Sequence, residues 1–225
     1  MKFDTEHFSM FFITTSNRGY NDLSSENHWA KRFVESLAAR GIVNDVADGQ
    51  DFHPSDSITR GEVAIMVGNA FNLLEYDLPN SFNDVDDDAI YARHVASLYK
   101  NRIIRGTGNG RFNPYEEIKR QDVAIVLSNA LLLKHKNSLR LPIHTQRYLE
   151  NFDDAQEISN YASRHIAFLS ELGILNGNKQ GDQLNVNPHS SLGRAEMATL
   201  IYNSLQLKNI QSFPDCVLTE GVNVN

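Results

Sequence analysis

One cysteine, Cys216, is all the thiol chemistry in the 225-residue chain. This excludes an internal disulfide framework and any multi-cysteine zinc site, and leaves the redox compartment open. Long apolar runs are also missing. The stretches 63–74 and 124–133 are short and broken by Asn, Gly or Ser, whereas a membrane span needs roughly 18 apolar residues, so no bilayer crossing is expected. A basic excess is absent as well: 21 Lys and Arg stand against 28 Asp and Glu, a net charge of -7. A general nucleic-acid binder carries surplus cations, so that class is excluded, and any anionic ligand must be held by individual cations against the overall field. Near the start, Asp4, Glu6 and His7 interrupt the chain and the apolar run 10–13 is too short for a secretory signal, so none is visible.

Catalytic and metal motifs are equally scarce. No Gly-x-Ser-x-Gly elbow occurs, and the eight histidines show no His-x-x-x-His spacing, so the expectation is a non-enzymatic protein without cofactor or metal. The run 105–110, RGTGNG, superficially suits a phosphate loop but follows a helical stretch, which makes it a turn. Asp84, Asp86 and Asp88 lack the Gly and distal Glu of a calcium loop, and suit a solvated helix start. What remains is an ordinary folding composition, 41% apolar and 22% charged with mean hydropathy -0.40.

The organising feature is an internal repeat. Offsets of 60 and 74 residues align RGEVAIMVGNAFNLL from Arg60, RQDVAIVLSNALLL from Arg120 and RAEMATLIYNSLQL from Arg194. Each has an acid two positions after the Arg (Glu62, Asp122, Glu196), Ala at four (Ala64, Ala124, Ala198), Asn at nine (Asn69, Asn129, Asn203) and apolar residues at helical spacing between them. Six residues before each Arg stands a proline (Pro54, Pro114, Pro188) in a Gly-containing turn. Earlier still, a second helical stretch starts at Trp29, Ile90 or Tyr161, and each unit opens on an aromatic-x-Asp: Tyr20 to Asp22, Phe82 to Asp84, Phe152 to Asp154. One unit is thus loop, helix, Gly/Pro loop, helix. The expected division is an N-terminal segment 1–19, repeats 20–81, 82–151 (with a basic, solvated linker at 134–150) and 152–208, and a tail 209–225 in which SFPDC (212–216) echoes the opening motif.

The order aromatic-x-Asp, Trp-Ala, Gly-Ile-x-x-Gly, Gly-x-Phe-x-Pro and Ile-Thr-Arg-Ala-Glu resembles the S-layer homology domain, which usually occurs in tandem threes. Its last motif stands here as ITRGE (58–62), IKRQD (118–122) and LGRAE (192–196). The resemblance implies a mainly α fold: three helix-loop-helix repeats around a pseudo-threefold axis, with second helices in a central bundle and first helices as outward prongs. A unit of about 60 residues cannot bury its apolar face alone, which agrees with a shared core. The three Asn are expected to form a polar layer that fixes helix register.

The three arginines are the candidate ligand residues. Thr59 and Glu62 have capping-box spacing, which places Arg60 in a first helical turn where free backbone N-H groups and the positive dipole end are expected to face outward. A guanidinium and such amides together suit a carboxylate. From the residues alone a second reading stands beside it: each Arg pairs with an acid of its own or a neighbouring unit, such as Asp22, Asp84 or Asp154. The resemblance implies the first, since such domains bind secondary cell-wall polysaccharides bearing pyruvate ketals in grooves between prongs. It also implies an extracellular place at a bacterial wall or surface layer. The candidate set is therefore Arg60, Arg120, Arg194, Thr59, Glu62, Glu196 and Trp29, with Tyr161 and Tyr91 as further sugar platforms, although an aromatic at a helix start more often belongs to the core. Groove quality is expected to fall from the first motif to the second, where Lys119 replaces the cap and Ile90 the aromatic; in the third, Gly193 can cap. The rival reading is a structural or assembly protein of a surface layer, phage particle or secretion apparatus that uses the same trimer for contacts with other surface-layer or particle proteins.

Overall fold

The computed structural model describes residues 19–25, 27–136 and 138–207; the SFPDC echo lies outside them. Among these residues are seven α-helices: α1 (Lys31–Ala38), α2 (Arg60–Phe71), α3 (Ala92–Lys100), α4 (Arg120–Lys134), α5 (Gln146–Leu149), α6 (Asn160–Glu171) and α7 (Arg194–Leu205). Strand is confined to a hairpin, β1 (Asn178–Gln180) with β2 (Gln183–Asn185), in the Gly/Pro loop of the third unit. In the first two units the same place holds single bridges, Asp48 with Asp51 and Gly108 with Arg111. RGTGNG is thus the turn expected of it.

The fold is mainly α and built on three repeats, but the packing unit is not the sequence unit. The first helix of each repeat lies on the second helix of the repeat before it: α3 on α2, α6 on α4 and, closing the ring, α1 on α7. Each repeat therefore lends a helix to its neighbour, and α2 also packs against both α4 and α7. The segments just before the second helices complete a cycle of backbone hydrogen bonds. Ile58 N donates to Leu192 O (2.8 Å), Leu192 N to Ile118 O (3.2 Å) and Ile118 N to Ile58 O (3.2 Å). The three side chains are buried at the centre.

Each helix start shows how the sequence achieves this. The Asp of the opening motif accepts two successive amides across its own unit: Asp22 from Phe52 and His53, Asp84 from Phe112 and Asn113, Asp154 from Val186 and Asn187. The second residue of each pair has φ between 53° and 57°, so the carboxylate holds a left-handed turn immediately before the proline. Asp84 is consequently spent on the turn and is not at the solvated helix start expected of it, since α3 begins only at Ala92. Gly106 is needed for close approach: a Cβ there would lie 2.5 Å from the Phe82 ring and 2.6 Å from Arg111 O.

The three Asn differ from expectation. Asn129 and Asn203 donate to Ile103 O (3.2 Å) and Ile174 O (3.5 Å), at the ends of their own first helices, and Asn69 Oδ1 meets His94 Nε2 at 3.0 Å. They tie prongs to second helices instead of forming a shared layer. The basic connector is also corrected: Leu139, Tyr148 and Leu149 are buried, α5 packs on α6, and Arg164 donates to Pro142 O and Leu141 O. Apolar residues within a Lys/Arg-rich run seat it on the core.

Candidate functional site

The amides at the starts of the second helices are not available to a ligand, contrary to expectation. Arg60 N and Gly61 N donate to Glu116 O and Pro114 O, Arg120 N and Gln121 N to Ser190 O and Pro188 O, and Arg194 N and Ala195 N to Asp56 O and Pro54 O, all at 2.8–3.1 Å. The Pro loop of the adjacent repeat caps each helix in trans, which satisfies the orphan donors through the cyclic assembly. Thr59 and Glu62 form the expected capping box, Thr59 Oγ1 accepting from Glu62 N and Glu62 Oε2 from Thr59 N (2.8 Å). Glu196 Oε2 likewise accepts from Gly193 N at 3.0 Å, while Lys119 contributes no side-chain cap.

The guanidinium groups divide two against one. All three reach across to a backbone carbonyl of the neighbouring repeat: Arg60 Nε to Phe112 O (2.8 Å), Arg120 Nε to Val186 O (2.7 Å) and Arg194 Nη1 to Phe52 O (3.1 Å). Arg120 Nη1 then pairs with Glu196 Oε1 at 2.6 Å, and Arg194 Nη2 pairs with Glu62 Oε1. The neighbour's +2 glutamate thus serves as both cap and counter-ion. The partner is this acid and not Asp22, Asp84 or Asp154, which the turns consume. Arg60 stands apart, with no carboxylate within ion-pair distance among the described residues; Nη2 donates to Arg105 O (2.8 Å) and its guanidinium lies 4.6 Å from the Phe112 ring centre. Its equivalent acid is Asp122, one methylene shorter, which accepts from the Tyr161 hydroxyl instead (3.0 Å). Burial lowers the Arg60 pKa from its ordinary value, opposed by the fields of Glu116, Asp122 and Asp84.

Two grooves contain Arg60 and Arg120, and Arg194 lines neither of them. The larger, of about 550 Å³, brings Arg60 together with Arg105, Asp122, Asn129, Tyr161 and His165. The smaller, of about 410 Å³, joins Arg120 and Glu196 to Trp29, Asn176, Asn178 and Asn203. Each aromatic therefore serves another repeat's arginine: Tyr161 faces Arg60, Trp29 faces Arg120, and the same cyclic relation assigns Ile90 to Arg194. The supposed association of Ile90 with the second motif is thereby corrected. Trp29, Ile90 and Tyr161 are each 58% exposed, against the core reading of these positions, whereas Tyr91 is buried at 8% and is no platform. Their place, at or before the first helical turn, puts them on the rim.

His165 went unsuspected in the sequence. It holds the position of His94, whose Nε2 is engaged by Asn69, but His165 Nδ1 is buried without a hydrogen-bond partner among the described residues, and the side chain lines the Arg60 groove. Burial and the nearby Arg164 push its pKa down to about 4, so it is a neutral hydrogen-bonding group at ordinary pH. Tyr161 is raised above the usual phenol value by burial and by its bond to Asp122, and remains a donor. Among the described residues no group of three or more His, Cys, Asp or Glu could hold a metal, and no helix is long and apolar enough to cross a membrane.

The S-layer homology domain model matches residues 20–64, 81–124 and 151–198. The chain is similar to amylopullulanase of Thermoanaerobacterium thermosulfurigenes, 30% identical over 207 residues that make up 91% of this chain and 10% of that protein. It is 30% identical over 216 residues to exoglucanase XynX of Acetivibrio thermocellus, covering 92% of this chain and 18% of the other. Against the surface-layer 125 kDa protein of Lysinibacillus sphaericus the values are 27% over 194 residues, 86% of this chain and 15% of the other. The chain thus spans less than a fifth of the length of these relatives.

Proposed function

The chain belongs to the S-layer homology domain family, and from that premise we propose that it is a non-covalent anchor to the bacterial cell wall. It attaches the protein to the cell surface by binding an anionic secondary cell-wall polysaccharide, one that bears pyruvate ketals. Relatives named amylopullulanase and surface-layer 125 kDa protein have this stretch in common, which supports a binding module and not a catalyst. The observation that carries the ligand reading is Arg60: a guanidinium with no carboxylate within ion-pair distance among the described residues, in a groove of about 550 Å³ with Arg105 and Tyr161 alongside. An acidic sugar supplies the missing charge. Arg60 and Arg105 meet its carboxylate, and Tyr161 offers a ring face to the pyranose. Glu62, Thr59 and Arg194 act at one remove, by fixing the helix starts.

Purified protein incubated with wall sacculi tests this. Co-sedimentation is expected before the secondary polymer is stripped and not after, and Arg60→Ala is expected to weaken it roughly ten- to hundredfold, the worth of a charge-assisted hydrogen bond. Binding that survives stripping, or none to intact sacculi, would sink the reading, and survival would favour assembly through protein contacts.

A further inference from the structure

Each first helix carries an arginine three residues after its rim residue: Arg32 after Trp29, Arg93 after Ile90 and Arg164 after Tyr161. Each second helix is followed by an apolar residue and a proline. Leu78-Pro79 begins seven residues past the end of α2 at Phe71, Leu141-Pro142 seven past the end of α4 at Lys134, and Phe213-Pro214 eight past the end of α7 at Leu205. Where both are described, arginine and dipeptide lie together. Arg164 on α6 donates from Nε to Pro142 O (2.9 Å) and from Nη2 to Leu141 O (3.1 Å), and Pro142 is buried. Arg93 on α3 lines one cleft of about 380 Å³ with Leu78 and Pro79, its guanidinium 4.9 Å from the Tyr76 ring centre. The chemistry explains the pairing. The residue before a proline is held extended and proline has no N-H to satisfy, so the dipeptide offers two carbonyls, which a guanidinium with donors alone complements.

At the third joint α1 packs on α7 as α3 does on α2 and α6 on α4. Arg32 is exposed there, its guanidinium 4.4 Å from the Phe33 ring centre, and makes no hydrogen bond or ion pair among the described residues. We propose that Phe213-Pro214 docks on α1, with Arg32 donating to its carbonyls, so that the segment after α7 straps the joint of α1 with α7. The other two joints are crossed by connectors of the chain; this one is the seam of the ring, where a strap adds what a connector supplies elsewhere. SFPDC is then a connector motif and not a fourth opening motif, since Asp22, Asp84 and Asp154 already serve all three turns.

The sole tryptophan and the sole cysteine flank this contact, Trp29 one turn before Arg32 and Cys216 two residues after Pro214. A nitroxide on Cys216 quenches an indole only at close range. In the 225-residue chain it should dim Trp29 at every protein concentration, relative to a diamagnetic label, and the emission should return in Arg32→Ala and in Phe213→Ser. Equal emission with the two labels, or quenching that Arg32→Ala leaves unchanged, overturns the proposal. Quenching that grows with protein concentration assigns the segment to a second copy and overturns it too. Urea midpoints of unlabelled protein give a separate reading: Arg32→Ala and Phe213→Ser should each lower the midpoint, and the double variant should fall no further than the weaker single one. Additive losses contradict the contact. If removal of residues 1–18 instead abolishes the effect of Arg32→Ala, the N-terminal segment is the occupant and the strap is refuted.

Discussion

Asp122 is one methylene shorter than the glutamates at the two equivalent positions, and that methylene separates a counter-ion from a bystander. Restoring it with Asp122→Glu should let the carboxylate reach Arg60 as Glu196 reaches Arg120. The expected result is roughly tenfold weaker binding of acidic polymer, with stability changed by no more than about 1 kcal/mol, as for a partly exposed ion pair. Isothermal titration and chemical denaturation of the same sample check both halves. Arg120→Ala should act in the opposite manner. It strands Glu196 beside Val186 O and costs on the order of 2 kcal/mol of stability, less than a fully buried pair would because Glu196 is 32% exposed. His165 adds a pH dependence. Its pKa falls from 6.5 in the unfolded chain to about 4 in the fold, so between those values the unfolded state binds more protons. Stability should therefore decline as pH drops through that window, and His94, also depressed by burial, acts in the same direction. Urea midpoints against pH, flatter in His165→Gln than in wild type, would show it; parallel curves would not.

At the scale of elements, the turn before each second helix is held by one carboxylate. Asp84→Ala leaves the amides of Phe112 and Asn113 without their acceptor and should cost roughly 1–3 kcal/mol in a denaturation midpoint, although Asp84 lies far from both grooves' aromatics in the chain. Much at this scale was readable from residue types. Thr59 and Glu62 mark a helix start because only that spacing closes a capping box, and the prolines mark turns because they cannot continue a helix. What could not be read was the partner of each element. Periodicity shows that α1, α3 and α6 have a buried face, but one apolar stripe fits any second helix equally well, so their seating on the preceding repeat is visible only in three dimensions. The same holds for the sites. Arg60, Arg120 and Arg194 looked alike along the chain, and their difference lies in which neighbour's acid reaches across. Trp29 and Tyr161 fit a core pattern by position and lie on the rim in the fold, while the helix-start amides looked free because their acceptors come from another repeat.

The described residues close into a ring. Within them α1 packs on α7, and three β-bridges join the repeats at the centre. A repeat whose prong belongs to its neighbour's core cannot be a folding unit, so removal of residues 152–207 should expose both α4 and the face of α1 and abolish cooperative unfolding in what remains. Calorimetry of the full chain should accordingly show one transition; three separable ones would contradict the interleaved packing. The net charge of -7 acquires its meaning at this scale too. A ring of acidic overall charge cannot attract a polyanion diffusely, and two of its three motif arginines are neutralised internally, so affinity for an acidic glycan rests on Arg60 and its surroundings. The most direct test is titration of isolated wall polymer against wild type, Arg60→Gln and Arg194→Gln. The account expects Arg60→Gln to lose at least roughly tenfold in affinity with a smaller drop in unfolding midpoint than Arg194→Gln, which also breaks an ion pair with Glu62. Wild-type affinity in Arg60→Gln would contradict it.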